Sequence, residues 1–145
     1  MFERLLSGLL APAPARLPEP DARLALCALM VRVARSDGDY AAAEVAQIDR
    51  VMAAMHGLSP FAAASLRKEA EVLEAEAPDT VRFTRAIKAA TAQEDRNSLL
   101  QALWSVALSD GGRNAEEDRL LRLVANLLGL TDVESALARQ RAAKG

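Results

Sequence analysis

The sequence predicts an all-helical domain, and three observations support this fold class. Hydrophobic residues make up 51% of the 145 positions, whereas aromatic residues make up only 3%. Strands are enriched in aromatic and β-branched residues, so this balance, with its abundant alanine and leucine, favours helices. Apolar residues recur at helical spacing, and no segment alternates with the period of two that is typical of a strand. We therefore predict a compact all-α bundle of about seven helices.

The helices are delimited by capping and stop signals. Their predicted starts lie, in chain order, at Asp21, about Ala41, Ser59, Asp79 or Thr80, Thr91, Asn114 and Thr131. Most of these side chains carry an oxygen that can accept a hydrogen bond from the first helical N–H groups. Thr91 with Glu94 matches a capping box, and Gly57 and Gly129 match left-handed helix stops. The first and fifth helices are the most apolar, so we expect them at the centre of the bundle.

Residues 1–20 are expected to precede this domain, which we assign to residues 21–145. Residues 1–10 are predicted to form a short amphipathic helix that could contact a membrane surface or a partner. Its apolar residues are Phe2, Leu5, Leu6, Leu9 and Leu10. Residues 11–20 contain four of the six prolines and are predicted to be a linker.

Composition and motifs exclude several function classes. The formal net charge of −2 gives no general attraction to nucleic acid. The longest apolar run, residues 24–31, is far shorter than the roughly 20 residues of a membrane span. The single cysteine, Cys27, cannot form an internal disulfide, which favours a reducing compartment, so we expect a cytoplasmic protein. No nucleophile–base pair, phosphate-binding loop or Glu-x-x-His motif is recognisable, so we expect no enzyme.

The chain contains an internal repeat. The segment VARSDG at residues 33–38 recurs as VALSDG at residues 106–111, and in both copies a glutamate follows seven residues after the aspartate. This match suggests two related helix–loop–helix units that face each other across a shared core. We therefore predict two equivalent Asp-Gly loops, each followed by a helix with an acid in its first turn.

Each acid of the repeat has a structural explanation, but the set suggests a metal site. Asp-Gly is a common turn, and a glutamate suits a helix N-terminus. However, Asp37 and Asp110 follow helix C-termini, where the dipole disfavours an anion by ~0.3–1 kcal/mol and an asparagine would make the same turn. We interpret Asp37, Glu44, Asp110 and Glu117 as candidate metal ligands, with Asp39 as a possible addition. Whether the two loops share one site depends on how the central helices pack.

The candidate ligands indicate a hard divalent cation. Carboxylate oxygens suit Ca²⁺, Mg²⁺ or Mn²⁺, although the spacing is not that of an EF-hand loop. Zn²⁺ is less suited, because the whole chain has one cysteine and one histidine. His56, Cys27 and Trp104 are expected to have structural roles at a helix end and in the core.

The repeat and its flanking residues resemble the TerB-like family, which comprises tellurite-resistance proteins and relatives such as the N-terminal region of a membrane-anchored DnaJ-type co-chaperone. The resemblance extends over about residues 21–137 and rests on ALMVRVARSDGDYAAAE, HGLSP, RFTRAIK and LLQALWSVALSDGGRNAEEDRLLRLVANLLGL. It implies an all-α fold of about seven helices with a pseudo-symmetric core, metal binding by the acids of the repeat, and action with partners in metal and stress responses. The sequence departs from the family pattern at residues 41–43, which are all alanine, and at Gly112, which replaces the Asp39 of the first copy.

Two functions remain open from the sequence. One is a non-enzymatic module that binds a divalent metal ion through the two repeated loops. The alternative is a protein-interaction adaptor whose acidic loops dock a basic partner without metal. Both imply an unidentified protein partner and no nucleic acid.

Overall fold

The computed structural model describes residues 21–77, 79–111 and 114–144, and within these residues it contains seven α-helices and no strand. The helices are α1 (Ala22–Arg35), α2 (Ala42–His56), α3 (Pro60–Glu76), α4 (Val81–Ala90), α5 (Gln93–Ala107), α6 (Ala115–Leu127) and α7 (Asp132–Lys144). The predicted all-helical fold is confirmed. The amphipathic helix predicted at residues 1–10 and the linker at residues 11–20 lie outside the described residues.

Helix α1 is the central element of the bundle. Seven consecutive residues, 25–31, are buried, so α1 has no solvent-exposed face over two turns. It packs against α2, α3, α4, α5 and α6. Helix α5 is the second helix with a large buried surface, and it packs mainly against α7. Although residues 25–31 of α1 are apolar on all sides, no helix in the described ranges is both long and apolar enough to cross a membrane.

Most of the predicted caps form. The carboxylate of Asp21 accepts a hydrogen bond from the backbone N–H of Leu24 at 2.8 Å, and Ser59 and Asn114 cap α3 and α6 in the same way. Thr131 and Glu134 form the reciprocal capping box that opens α7. Each of these side chains satisfies N–H groups that the first helical turn leaves without a partner.

The capping box predicted at Thr91 is wrong. Helix α5 begins one residue later than predicted, with Ala92 at the N-cap position and no side-chain cap. The hydroxyl of Thr91 instead donates to the carbonyl oxygen of Ile87 in the last turn of α4, at 2.7 Å. This hydroxyl also accepts a bond from Arg96, whose guanidinium donates to two backbone carbonyls at the same corner, those of Lys88 and Thr91. The side chain of Thr91 therefore bonds to the end of α4, whereas the sequence predicted that it would cap the start of α5.

A partly buried arginine joins α1 to the end of α3. Arg32 forms an ion pair with Glu74 at 3.0 Å and donates to the backbone carbonyls of Glu74 and Ala77 at the end of α3. The guanidinium also lies 5.3 Å from the ring centroid of Phe83 in α4. Arg32 thus links α1 to both α3 and α4, and Arg35 of α1 adds a second ion pair to Glu74 at 2.6 Å.

Candidate metal centre

The two Asp-Gly loops have the same local hydrogen bonds. In both loops the serine of the Ser-Asp-Gly sequence donates its N–H and its hydroxyl to the carbonyl oxygen three residues earlier, with hydroxyl distances of 2.7 Å for Ser36 and 2.6 Å for Ser109. The following glycines, Gly38 and Gly111, have φ angles of +83° and +77°, which L-residues with a side chain rarely adopt. No role was predicted for these serines from the sequence, although their identity in both copies was a signal. That the two helix–loop–helix units are two copies of one supersecondary unit stays a prediction.

The two aspartates follow the ends of the two helices with the largest buried surfaces. Asp37 is half-buried, and its Oδ1 accepts the backbone N–H of Asp39 at 2.9 Å, which closes the turn. Asp110 is exposed on the second loop. Because Asp37 and Asp110 approach each other, the carboxyl ends of α1 and α5 meet at one end of the bundle.

The two glutamates lie in the first turns of α2 and α6 and are buried. Glu44 is 0% exposed and Glu117 is 2% exposed. One carboxylate oxygen of Glu44 accepts the backbone N–H of Ala41 at 3.1 Å, at the start of its own helix. The Oε2 atom of each glutamate is buried and has no conventional hydrogen-bond donor within reach. Carboxylates are rarely this buried without a cationic partner, so the surroundings of these two oxygens need an explanation.

The structure brings all four predicted acids together, which we call the acid cluster: Asp37, Glu44, Asp110 and Glu117. One carboxylate oxygen from each of Asp37, Asp110 and Glu117 lies within 4.8 Å of the other two. Glu44 lies on the buried side of the cluster, and its carboxyl group is within hydrogen-bonding reach of Glu117. Asp39, the fifth candidate, is exposed and is not part of this group of described acids.

Burial and the surrounding negative charges favour a proton on the buried pair of glutamates. Burial raises the pKa of Glu117 to about 8, with further contributions from its hydrogen bond to Glu44 and from the negative charges of Glu44 and of both aspartates. Burial also raises the pKa of Glu44, although its bonds to Ala41 and Glu117 oppose that shift. Two ionised carboxylates cannot hydrogen-bond to each other, since neither has a donor. The contact between the glutamates therefore requires one proton shared by the pair at neutral pH.

The donor set of the acid cluster fits a hard divalent cation. Its ligands are carboxylate oxygens alone, without thiolate or imidazole, which is the donor type of Ca²⁺, Mg²⁺ and Mn²⁺. Oxygens bound to one Ca²⁺ ion at about 2.3–2.6 Å lie no more than about 5 Å apart, and the three outer carboxylates meet that condition. A cation would also satisfy a buried oxygen of Glu117 that otherwise lacks a conventional partner. The described residues of the cluster could therefore hold a metal ion.

Comparison with known proteins identifies one family. The family model described as tellurite resistance protein TerB matches residues 23–140. The matched range covers most of the chain, both Asp-Gly loops and the whole acid cluster, and it begins after residues 1–22. No match was found among curated proteins or among solved structures.

Proposed function

The chain belongs to the TerB family, and on that premise we propose that it is a non-enzymatic module that binds one divalent metal ion between its two Asp-Gly loops as part of a metal or stress response. The observation that carries this proposal is the convergence of four acids from two separate loops on one point. Two of them, Glu44 and Glu117, are buried, and one oxygen of each has no hydrogen-bond donor within reach other than the carboxyl group of the other glutamate. A turn or a helix cap alone requires no such convergence.

The electrostatics of the acid cluster favour a cation as its ligand. The charges that act on the pKa of Glu117 belong to Glu44, Asp37 and Asp110, and all three are negative. Burying a carboxylate among other carboxylates is unfavourable unless a proton or a cation compensates the charge. A divalent ion would replace the shared proton and interact with all four side chains at once. It would supply positive charge, and the protein would supply the oxygen ligands.

The position of the cluster allows an ion to enter from solvent. Asp110 is exposed and Asp37 half-buried, whereas the glutamates form the floor of the site. Ca²⁺ takes six to eight oxygen ligands and Mg²⁺ takes six, so four carboxylates leave positions for water or for a partner's oxygen. We therefore propose Ca²⁺, Mg²⁺ or Mn²⁺ rather than Zn²⁺, which prefers nitrogen and sulfur.

Isothermal titration calorimetry with Ca²⁺, Mn²⁺ and Zn²⁺ tests this proposal. We expect binding heat for Ca²⁺ or Mn²⁺ with the unmodified chain and none with the double variant Asp37→Asn/Asp110→Asn. The matched control is Asp39→Asn, which removes an exposed acid of the same loop that lies outside the cluster, and it should bind like the parent. Fluorescence of Trp104, a buried residue of α5, gives a second readout of binding at the end of that helix.

The absence of binding heat for every ion would contradict the metal proposal. The acidic loops would then be better explained as a docking surface for a basic partner, which is the adaptor function. Equal binding by the parent and the double variant would also contradict it, because the ion would then lie elsewhere.

A further inference from the structure

A groove runs along one side of α5, between α2 and α7. Both of these helices pack against α5, and the groove between them has a volume of about 580 Å³. With a rise of about 1.5 Å per residue, residues 98–108 of its floor span about 15 Å. An extended peptide advances about 3.3 Å per residue, so this length matches about four or five residues of such a peptide. The floor is one face of α5 and the turn after it, formed by Ser98, Gln101, Ala102, Ser105, Leu108 and Ser109.

The walls of the groove carry positive charge. Arg50 of α2 lies on one wall and Arg141 of α7 on the other, and neither guanidinium forms an ion pair with a described residue. Asp49, the neighbour of Arg50, pairs instead with Arg67 of α3 at 2.7 Å. No aspartate or glutamate of the described chain lines the groove. Since the whole chain has a formal net charge of −2, this local excess of positive charge favours an anionic ligand at this surface.

Hydrogen bonds hold Arg50 in position. Its Nε and one terminal nitrogen both donate to Oε1 of Gln47, at 3.0 and 2.7 Å. The amide of Gln47 donates to the hydroxyl of Ser105 on α5 at 3.1 Å, and this hydroxyl donates to the carbonyl oxygen of Ala102 at 2.6 Å. The remaining N–H groups of Arg50 have no acceptor among the described residues. A guanidinium that is fixed in advance loses less conformational entropy when it binds a carboxylate.

The polar groups of the groove suit a peptide better than a small anion. Within the described ranges, the hydroxyl of Ser98 and the amide of Gln101 have no hydrogen-bond partner. Each of these groups can both donate and accept, which matches the alternating N–H and C=O groups of a peptide backbone, whereas phosphate offers mostly acceptors. Guanidinium groups bind carboxylates through two parallel hydrogen bonds. The combination favours a peptide that carries acidic side chains.

We propose that the groove binds an acidic, extended segment of a protein partner. Arg50 and Arg141 contact its carboxylates, and the polar groups of the floor contact its backbone. One end of the groove adjoins the acid cluster, because Ser109 directly precedes Asp110, so the acidic residues of the partner lie at the arginines and away from that end. The site has the opposite charge to the acid cluster and does not depend on metal binding there.

Nuclear magnetic resonance titration of the ¹⁵N-labelled full chain tests the groove. Three blocked peptides each carry two glutamates, separated by one, two or three alanines, and matched peptides carry glutamine in place of glutamate. EDTA keeps metal ions out of the acid cluster. We expect at least one glutamate peptide to shift the backbone signals of residues 98–109 and the side-chain amide signals of Gln47 and Gln101. The matched glutamine peptide should bind at least about fivefold more weakly.

Two double variants with equal loss of charge locate the binding. Arg50→Gln/Arg141→Gln should weaken binding of the glutamate peptide about five- to tenfold, because both charge-assisted contacts are lost. The matched control Arg85→Gln/Lys88→Gln removes the same charge from α4 and should leave the dissociation constant within about twofold. All four side chains are exposed, so the fold should be retained, and circular dichroism checks that it is.

Other outcomes would overturn the proposal. Absence of shifts at residues 98–109 with all three glutamate peptides would do so. Equal weakening by the two double variants would show a response to net charge alone, and equal binding of the glutamine peptide would remove the role of the arginines. Inorganic phosphate and a pentathymidylate are titrated separately, and binding of either at the same residues as tightly as the glutamate peptide would make the groove a general anion or nucleic-acid site. None of these results bears on the acid cluster, whose metal binding is measured separately by calorimetry.

Discussion

Glu117→Gln tests whether the acid cluster holds a proton when no metal is bound. Burial and the neighbouring acids raise the pKa of Glu117 from 4.5 to about 8 in the folded chain. Between these two values the folded chain keeps a proton that the unfolded chain has released. The stability that this proton contributes is therefore complete below pH 4.5 and is lost as the pH rises towards 8. Glutamine cannot titrate, but its amide can still donate a hydrogen bond to Glu44, so the variant should lack this loss.

The magnitude follows from the number of protons. One proton retained only by the folded state changes the free energy of unfolding by about 1.4 kcal/mol per pH unit. Between pH 5.5 and 7.5 the limit is thus about 3 kcal/mol, and relaxation around the coupled pair reduces it. We expect the free energy of unfolding of the parent to fall by about 1–3 kcal/mol relative to that of Glu117→Gln over this interval.

Urea unfolding in the presence of EDTA, followed by circular dichroism at 222 nm, measures this difference at pH 5.5, 6.5 and 7.5. The control is Glu116→Gln, which removes an acid from the same helical turn, where it is exposed and pairs only weakly with Arg119. It should follow the pH dependence of the parent. Parallel curves for the parent and Glu117→Gln, or a parent that gains stability relative to the variant as the pH rises, would refute the shared proton.

Three further predictions concern the metal, the core and the loops. Metal binding at pH 7 should release about one proton per ion, which calorimetry in buffers of unequal ionisation heat measures. The metal affinity should rise up to tenfold per pH unit between pH 6 and 7.5. Binding without proton release would contradict the shared proton. Arg32→Ala should lower the free energy of unfolding by about 1–3 kcal/mol, because it removes an ion pair and two hydrogen bonds to partly buried carbonyl groups, whereas the exposed Arg119→Ala should cost less than about 0.5 kcal/mol. Similar losses for the two variants would be inconsistent with the role of Arg32. Gly38→Ala should cost about 1–2 kcal/mol, since φ is +83° although nothing lies within 4 Å of the added Cβ, and it should weaken metal binding. Gly57→Ala, with φ of +63° at the far end of α2, should cost a similar amount but leave metal affinity unchanged, and a loss of affinity there would contradict a local effect.

The helices and most of their ends were predictable because the signals are local. Asn114 and Thr131 each directly precede one helix, and their short polar side chains can accept hydrogen bonds from the first N–H groups of that helix. Thr91 failed because it stands between two helices, and its hydroxyl can serve either one. The choice depends on Arg96, which occupies that corner through tertiary contacts. A local pattern cannot contain this information.

The membership of the acid cluster was predictable, but its electrostatics were not. The repeat singled out the four acids by position, and they meet at one point. Glu44 lies in the first turn of a helix, where an acid is normally exposed, yet its side chain is 0% exposed. This burial arises from the packing of α2 against neighbouring helices, and the pairing with Glu117 requires both loops to be in place. Asp39 lies only two residues after Asp37 in the sequence, but its side chain is exposed.

The depth of the acid cluster bears on the choice between a metal ion and a basic partner. A lysine or arginine from a partner can reach Asp110 and Asp37 at the rim, but the oxygens of Glu117 lie behind them with 2% of the residue exposed. A metal ion coordinated by the whole cluster would contact these oxygens, whereas an ammonium or guanidinium group docked at the rim would not. The two functions therefore differ in their dependence on Glu117. Replacing it by glutamine should weaken metal binding but leave a partner docked at the rim unaffected, whereas replacing Asp110 by asparagine should weaken either one.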